Sequence, residues 1–333
     1  MLSRVANSIY WMSRYMERAE NVARFINVNL NLILDLPQEF REQWAPLVNI
    51  TGDREEFSER YEEATRENVL HFLTFDRENP NSILSCVRNA RENARSVREI
   101  ISSEMWEQAN LSYLLVKDAA ARNALAENAH DFYTAVKMAS HLFDGITEAT
   151  MSHGEAWHFL QTGELLERAD KTSRILDVKY FILLPDSQAV GTTIDNIQWA
   201  ALLKSASALE MYRKHSKQIT PSKVADFLIL NRDFPRSVHS CLDRAAVSLH
   251  AITGSPMDAF SNQAERRLGR LLAELNYAHI DEIISEGLHE FLDELQIRLN
   301  GIDDAVSRTF FALRPLTGNG SGLQSQSQSQ SQV

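Results

Sequence analysis

The chain has 333 residues, 44% of them apolar, and a formal net charge of −11. That length and apolar content supply a large core, in one double-sized domain or two ordinary ones. The acidic balance excludes a nucleic-acid-binding surface as the main business, because such surfaces need a basic footprint.

Only 12 Gly and 8 Pro punctuate the chain, a composition that suits an all-helical protein. Two cysteines do not make a disulfide framework. The opening MLSRVANSIYWMSRYMERAE has no uninterrupted apolar run and no cleavage site of small residues, so no secretory signal is expected. No run reaches the length of a membrane-spanning helix, and a cytoplasmic protein is expected.

In chain order, Val5, Ile9, Met12, Met16, Ala19, Ala23, Ile26 and Leu30 follow four–three spacing. This predicts a long first helix packed lengthwise in a bundle. At about 100° per residue, Ser13, Glu17, Glu20 and Arg24 fall on one row beside that seam. Arg18 points roughly 100° away from Glu17, so the adjacent pair is not a side-chain contact. Two shorter helical pieces follow, and a fourth helix is predicted from near Pro80, where proline suits a first turn. Its buried stripe reads Ile83, Cys86, Ala90, Ala94, Val97 and Ile101, which makes Cys86 a buried structural thiol. On another face, Arg88, Arg91, Arg95 and Arg98 share a strip with Glu92 and Glu99. The strip reads as a solvated ion-pair ladder or as an anion- or partner-docking surface, since Arg suits phosphate and carboxylate.

A helical link over 118–143 leads through Gly145 into a second copy of the opening cluster. Glu17-Arg18-Ala19-Glu20 returns as Glu167-Arg168-Ala169-Asp170, and Arg24 returns as Arg174. FLTFDRENPNSILSCV, 72–87, is matched by FLILNRDFPRSVHSCL, 227–242, and WAPLV at Trp44 by WAALL at Trp199. Matches this long predict an internal duplication with copies 150–155 residues apart. The fourth helix of copy two would start near Pro235, with Cys241 on its buried stripe. The arginine strip is not duplicated: copy two has Asp243, Ala246, His250 and Thr253 there. Two amphipathic segments, 263–278 and 280–313, close the second copy, and a Gly/Ser/Gln tail, 317–333, is expected to be disordered. The expected fold is an all-α, internally duplicated helical bundle: first repeat and linking helix over 1–150, second repeat and closing helices over 151–316, then the tail.

Glu20→Arg24 and Asp170→Arg174 are favourable i,i+4 pairs. No obvious basic partner at that spacing is expected for Glu17 or Glu167. Half-buried beside a seam, each needs a partner from another helix or a bound ligand. Arg77 and Arg232, kept between the copies, are candidate partners. Two readings stay open: a structural ion network, or a ligand or catalytic site in which Glu17 and Glu167 act as paired carboxylates, with raised pKa values if buried together. Glu155-Ala156-Trp157-His158 and Glu286-Gly287-Leu288-His289 each fit Glu-x-x-His, so a carboxylate-bridged metal bundle is a further alternative. There is no glycine-rich phosphate loop, Cys-x-x-Cys or nucleophile elbow, and no cofactor is expected.

The pieces SRVANSIYWMSRYMERAENVAR, ARENARSVREIISSEMWEQAN and EAWHFLQTGELLERADKTSRILDVKY together resemble the Alpha-E family over 1–316. The family pattern lands on Glu17, Arg18, Glu20 and Arg24, on Glu167, Arg168, Asp170 and Arg174, and on the Arg88–Arg98 helix with Glu104, Trp106 and Asn110 after it. No activity comes with the resemblance. What it implies is context: such proteins accompany ATP-grasp proteins that look like amidoligases, often with a transglutaminase-like peptidase, in systems read as making or attaching peptides. The expectation is therefore an accessory subunit that binds the ligase or its peptide or other acidic ligand, with no nucleic-acid or membrane partner. An enzyme using Glu17 and Glu167 on a peptide or amide is the rival.

Overall fold

The computed structural model of the chain describes residues 1–35, 44–122, 124–182 and 193–312; the tail over 317–333 lies outside the described residues. The described residues are helical, with no strand among them. In order the helices are α1 (Ser3–Asp35), α2 (Ala45–Thr51), α3 (Arg54–Arg60), α4 (Arg66–Thr74), α5 (Ile83–Ser96), α6 (Ser103–Arg122), α7 (Ala124–Thr150) and α8 (Glu155–Ile182). They continue as α9 (Thr193–Ser205), α10 (Leu209–His215), α11 (Pro221–Ile229), α12 (Val238–Thr253), α13 (Gln263–Tyr277), α14 (Ile280–Glu286) and α15 (Leu288–Val306).

Local chemistry sets the boundaries. Ser82 and Ser237 cap α5 and α12, each side chain accepting from the backbone N–H three residues on. Thr65 and Thr220 do the same for α4 and α11. These four caps sit at positions matched in the sequence repeat. Gly52, at φ +85°, ends α2 in the left-handed conformation that glycine adopts without strain.

Several boundaries differ from the sequence reading. Three short helices, not two, separate the long ones in each half: the first half breaks at Gly52 and at extended Tyr61, the second at Ser207, φ +52°, and at extended Ser216. Pro80 and Pro235 precede the serine caps, so neither lies in a first helical turn. α5 stops at Ser96, although Val97 and Ile101 beyond it remain buried. The link over 118–143 is split between the end of α6 and α7. Gly287, at φ +117°, divides the last segment into α14 and α15.

Helices α1, α5, α6 and α7 form one four-helix bundle, and α8, α12, α13 and α15 form another. α1 and α8 pack lengthwise against each other and so join the two. The short helices cross over: α2 lies on α8, and α9 lies on α1. One apolar core runs from Tyr10 and Ile26 through Leu165 to Leu292 and Val306, across both halves. A second cluster around Ile9, Met12, Ala90, Ala94 and Phe159 fills the end where α1, α5, α6 and α8 meet. At the crossing of α1 and α8, a Cβ on Gly163 would sit 2.5 Å from the Tyr10 carbonyl oxygen and 2.7 Å from Ser13 Oγ. Ser13 Oγ donates instead to the Leu160 carbonyl at 2.8 Å. Only glycine allows this approach, which brings the two acid–base rows face to face.

Candidate functional site: a reciprocal glutamate–arginine lattice

The two copies of the motif meet between α1 and α8 and exchange partners. Arg18 Nε and Nη2 donate to the two oxygens of Glu167 at 2.7 and 2.9 Å. Arg168 Nε and Nη2 donate to the two oxygens of Glu17 at 3.2 and 2.6 Å. Each arginine thus forks onto the glutamate of the other half, the bidentate geometry that guanidinium and carboxylate favour. Helical geometry turns Arg18 away from Glu17, and the same rotation aims it at α8.

Further groups complete each half. Around Glu17, Arg236 Nη1 donates to Glu17 at 2.8 Å and Nη2 to Glu20 at 2.7 Å, while Asn21 Nδ2 donates to Glu17 at 2.8 Å. Arg24 pairs with Glu20 and donates to Ser207 Oγ. Around Glu167, Arg14 Nε donates at 3.0 Å, and Lys171, which does stand at i+4 contrary to expectation, places its Nζ at 3.6 Å. Lys171 also meets Asp170 at 3.0 Å, and Arg174 Nε bonds Asp170 at 2.9 Å. The expected i,i+4 pairs are therefore present, buried within the lattice.

The expected partners Arg77 and Arg232 are not in the lattice. Both are exposed, and Arg232 reaches the Asn276 carbonyl at 3.4 Å. The loop before α12 does supply a partner, but it is Arg236, next to the Ser237 cap. Its counterpart in the sequence repeat is Asn81, which accepts from Arg18 Nη1 at 2.5 Å. Conversely, Lys171 corresponds to Asn21. One half uses an arginine and an asparagine where the other uses an asparagine and a lysine, so each half keeps its cations by a different route.

Electrostatics rules out the expected raised pKa values at Glu17 and Glu167. Burial alone would push both up, but Arg168 and Arg236 hold Glu17 well below the usual range. Arg18, Lys171 and Arg14 do the same for Glu167. Asp170 is held down against burial by Lys171 and Arg174. All three stay ionised at neutral pH and are poor proton acceptors there. Arg24 is brought down to about 9 by burial and by Arg236 beside it, and so remains charged. His141, near Glu20 at 3.1 Å, is lowered by burial and by Arg24.

The halves differ at one edge. Arg14 bonds Glu167 and also pairs with Asp303, stacking over Trp11 at 4.8 Å. The position matched to Arg14 is Glu164, which pairs with Arg168, and Asp144 lies 3.9 Å from the same nitrogen. Asp144 is a third exposed, yet burial of the rest and the Glu164 charge push its carboxyl well up. The shift at Asp144 thus runs opposite to those at Glu17 and Glu167.

Oxygens of Glu17, Glu20 and Asp144 lie within 4.8 Å of one another, the one such group among the described residues. It fits a metal poorly, because Arg168 and Arg236 already bond Glu17, and Arg236, Arg24 and His141 crowd Glu20. The two Glu-x-x-His motifs do not join it: Glu155 holds the chain's amino group at 2.9 Å, and His289 meets Asp177 at 2.6 Å. Cys86 and Cys241 are fully buried, and burial pushes both thiols up to about 12, as structural thiols require.

The arginine strip stands apart on the outer edge of α5. Arg91 donates to Asn110 Oδ1 at 2.7 Å and lies over Trp106 and Tyr113. Glu92 is shared by Arg91 at 2.7 Å and Arg95 at 2.5 Å. Arg98 stacks on Trp106 at 4.9 Å, and Arg88 is exposed.

The chain belongs to the Alpha-E family, described as "a predicted alpha-helical domain with a conserved ER motif", whose pattern matches residues 1–311. It is also similar to uncharacterized proteins of Mycobacterium bovis and of two strains of Mycobacterium tuberculosis, at 25% identity over 95% of this chain. The chain spans only 38% of the length of these relatives. No solved structure matches it. Among the described residues, no helix is long and apolar enough to cross a membrane.

Proposed function

We propose that this chain is an accessory, non-catalytic scaffold of a bacterial peptide-synthesis or peptide-tagging system. It acts in the cytoplasm with an ATP-grasp amidoligase, and with a transglutaminase-like peptidase where one is present, and binds the ligase or its anionic peptide substrate. The observation that carries this reading is the saturation of the motif: both oxygens of Glu17 and of Glu167 are bonded to arginines of the other half. Carboxylates held ionised and fully bonded are structural charges, and this weighs against an enzyme built on them. The greater length of the mycobacterial relatives adds support, since there this region is joined to much further sequence. The partner class rests on the family resemblance alone.

Co-expression with the ATP-grasp protein of the same organism tests the proposal. A complex that survives size-exclusion chromatography at micromolar concentration is expected. Separate elution of the two proteins contradicts it.

A further inference from the structure

The four arginines of the strip, three on α5 and Arg98 in the turn just after it, sit on a protein whose net charge is −11, and the matching positions of the second half have none of them. Glu92 shows what they are suited to hold. Its carboxylate lies between Arg91 and Arg95, one oxygen to each, at 2.7 and 2.5 Å. On either side of this occupied pair stands a guanidinium with no carboxylate. Arg88 makes no hydrogen bond or ion pair among the described residues, and Arg98 makes only its stack on Trp106.

That stack fixes the plane of Arg98 while leaving its N–H edge open, so less side-chain freedom is lost on binding. Arg91, held by Asn110 and lying over both Trp106 and Tyr113, keeps the ring wall in place. From Arg88 to Arg95 the strip runs about 10 Å along the helix, and Arg98 follows just past its end. An extended peptide of about four to six residues spans that length, with side chains on one face at every second position.

We propose that the strip from Arg88 to Arg98 is a docking site for an acidic peptide, with carboxylates of the peptide taken by Arg98 and Arg88 on either side of Glu92. The overall negative charge favours this occupant over a nucleic acid or an anionic membrane. A long polyanion feels the field of the whole protein, whereas a short peptide lies within the basic strip. The inference rests on the accessory reading only for the source of the peptide; binding itself is decided separately.

The test is fluorescence anisotropy of a labelled oligoglutamate peptide of about six residues, titrated with the full chain at low salt. Saturable binding tighter than about millimolar is expected. Arg98→Gln and Arg88→Gln should each weaken it roughly tenfold or more, as loss of a charge-assisted contact does. Arg98→Lys should weaken it too, because lysine keeps the charge but loses the flat stack. Arg267→Gln/Arg270→Gln, on α13, should bind like the parent. Circular dichroism melts establish that each variant is folded.

Absence of saturable binding overturns the proposal, as does equal binding by a folded Arg88→Gln/Arg98→Gln variant. Binding of duplex DNA or phosphatidylserine vesicles in place of the peptide also overturns it. If the ATP-grasp protein fails to co-purify while the peptide binds as described, the accessory reading falls and the strip stands. If the ligase co-purifies and the peptide does not bind, the strip falls alone.

Discussion

Arg168 and Glu17, 151 residues apart in the chain, meet through two hydrogen bonds of 3.2 and 2.6 Å between α8 and α1. Arg18 and Glu167 repeat the contact in the opposite direction. The arginine beside each glutamate therefore belongs to the other half, and the motif acts as a clasp between two bundles. The apolar core supplies the bulk of the driving force, at ~1.5–3 kcal/mol for each fully buried large aliphatic side chain. A buried ion lattice contributes little net stability by comparison, because desolvation offsets its attraction. Its effect is on register: α1 can slide along α8 only by breaking every fork at once.

Removing one member leaves buried cations under-neutralised: without Glu17, Arg168 keeps Glu164 and Asp144, and Arg236 keeps Glu20. Glu17→Gln should therefore destabilise the protein by about 3–5 kcal/mol, read by urea unfolding. Glu17→Leu/Arg168→Leu should recover part of that loss. A Gln variant within about 0.5 kcal/mol of the parent would show that Glu17 is dispensable to the fold.

Gly163 sets the distance across the clasp. Gly163→Ala puts a methyl where Tyr10 O and Ser13 Oγ lie within 2.7 Å, and both are held by the α1 backbone. A loss of about 1–3 kcal/mol is expected, with a lower melting temperature. Gly145→Ala, which meets nothing within 4 Å, should cost nothing by the same mechanism and serves as its control.

The pH dependence follows from the signs of the shifts. Glu17, Glu167 and Asp170 hold protons less tightly folded than unfolded. The stability they add is complete above the ordinary carboxylate range and drains as pH falls below it, toward their depressed folded values. Asp144 has the opposite sign: its pKa is raised on folding, so its contribution is full below the ordinary aspartate value and is lost as pH rises through the folded one. Asp144→Asn should flatten the fall of stability as pH rises above the ordinary aspartate value, while leaving the loss at lower pH in place. An unchanged slope above that value would remove the raised Asp144 pKa from the account.

The thiols give a simple check. Cys86 and Cys241 should resist a thiol reagent in the native protein and react at the rate of unfolding in urea, with no faster phase. A rapid native-state reaction of either would contradict their burial.

Much of this was legible in the sequence and some was not, for definite reasons. Glu17 and Glu167 were identifiable because both lie beside an apolar seam, and Glu17 has no basic residue one turn on, although Glu167 does have Lys171 there. That Arg18 turns from Glu17 followed from helical geometry, but where it points depends on how α1 crosses α8. The signal for that crossing was Gly163 opposite Ser13, small residues at matched positions. Arg77 and Arg232 were singled out because they recur between copies, and that filter hid Arg236, Arg14 and Lys171. Those three differ between copies because each half balances its charge with different residues. Asp144 and His141 lie on α7, outside every repeated stretch, so no pattern marked them.

A double-mutant cycle on urea-derived stabilities, using Glu17→Gln and Arg168→Gln, tests the clasp most directly, with a second cycle on Glu17→Gln and Arg18→Gln for comparison. Reciprocal exchange predicts coupling of about 2 kcal/mol or more between Glu17 and Arg168, and much weaker coupling between the sequence neighbours Glu17 and Arg18. Additive effects in the first cycle, or stronger coupling within one motif than across the two, would contradict it.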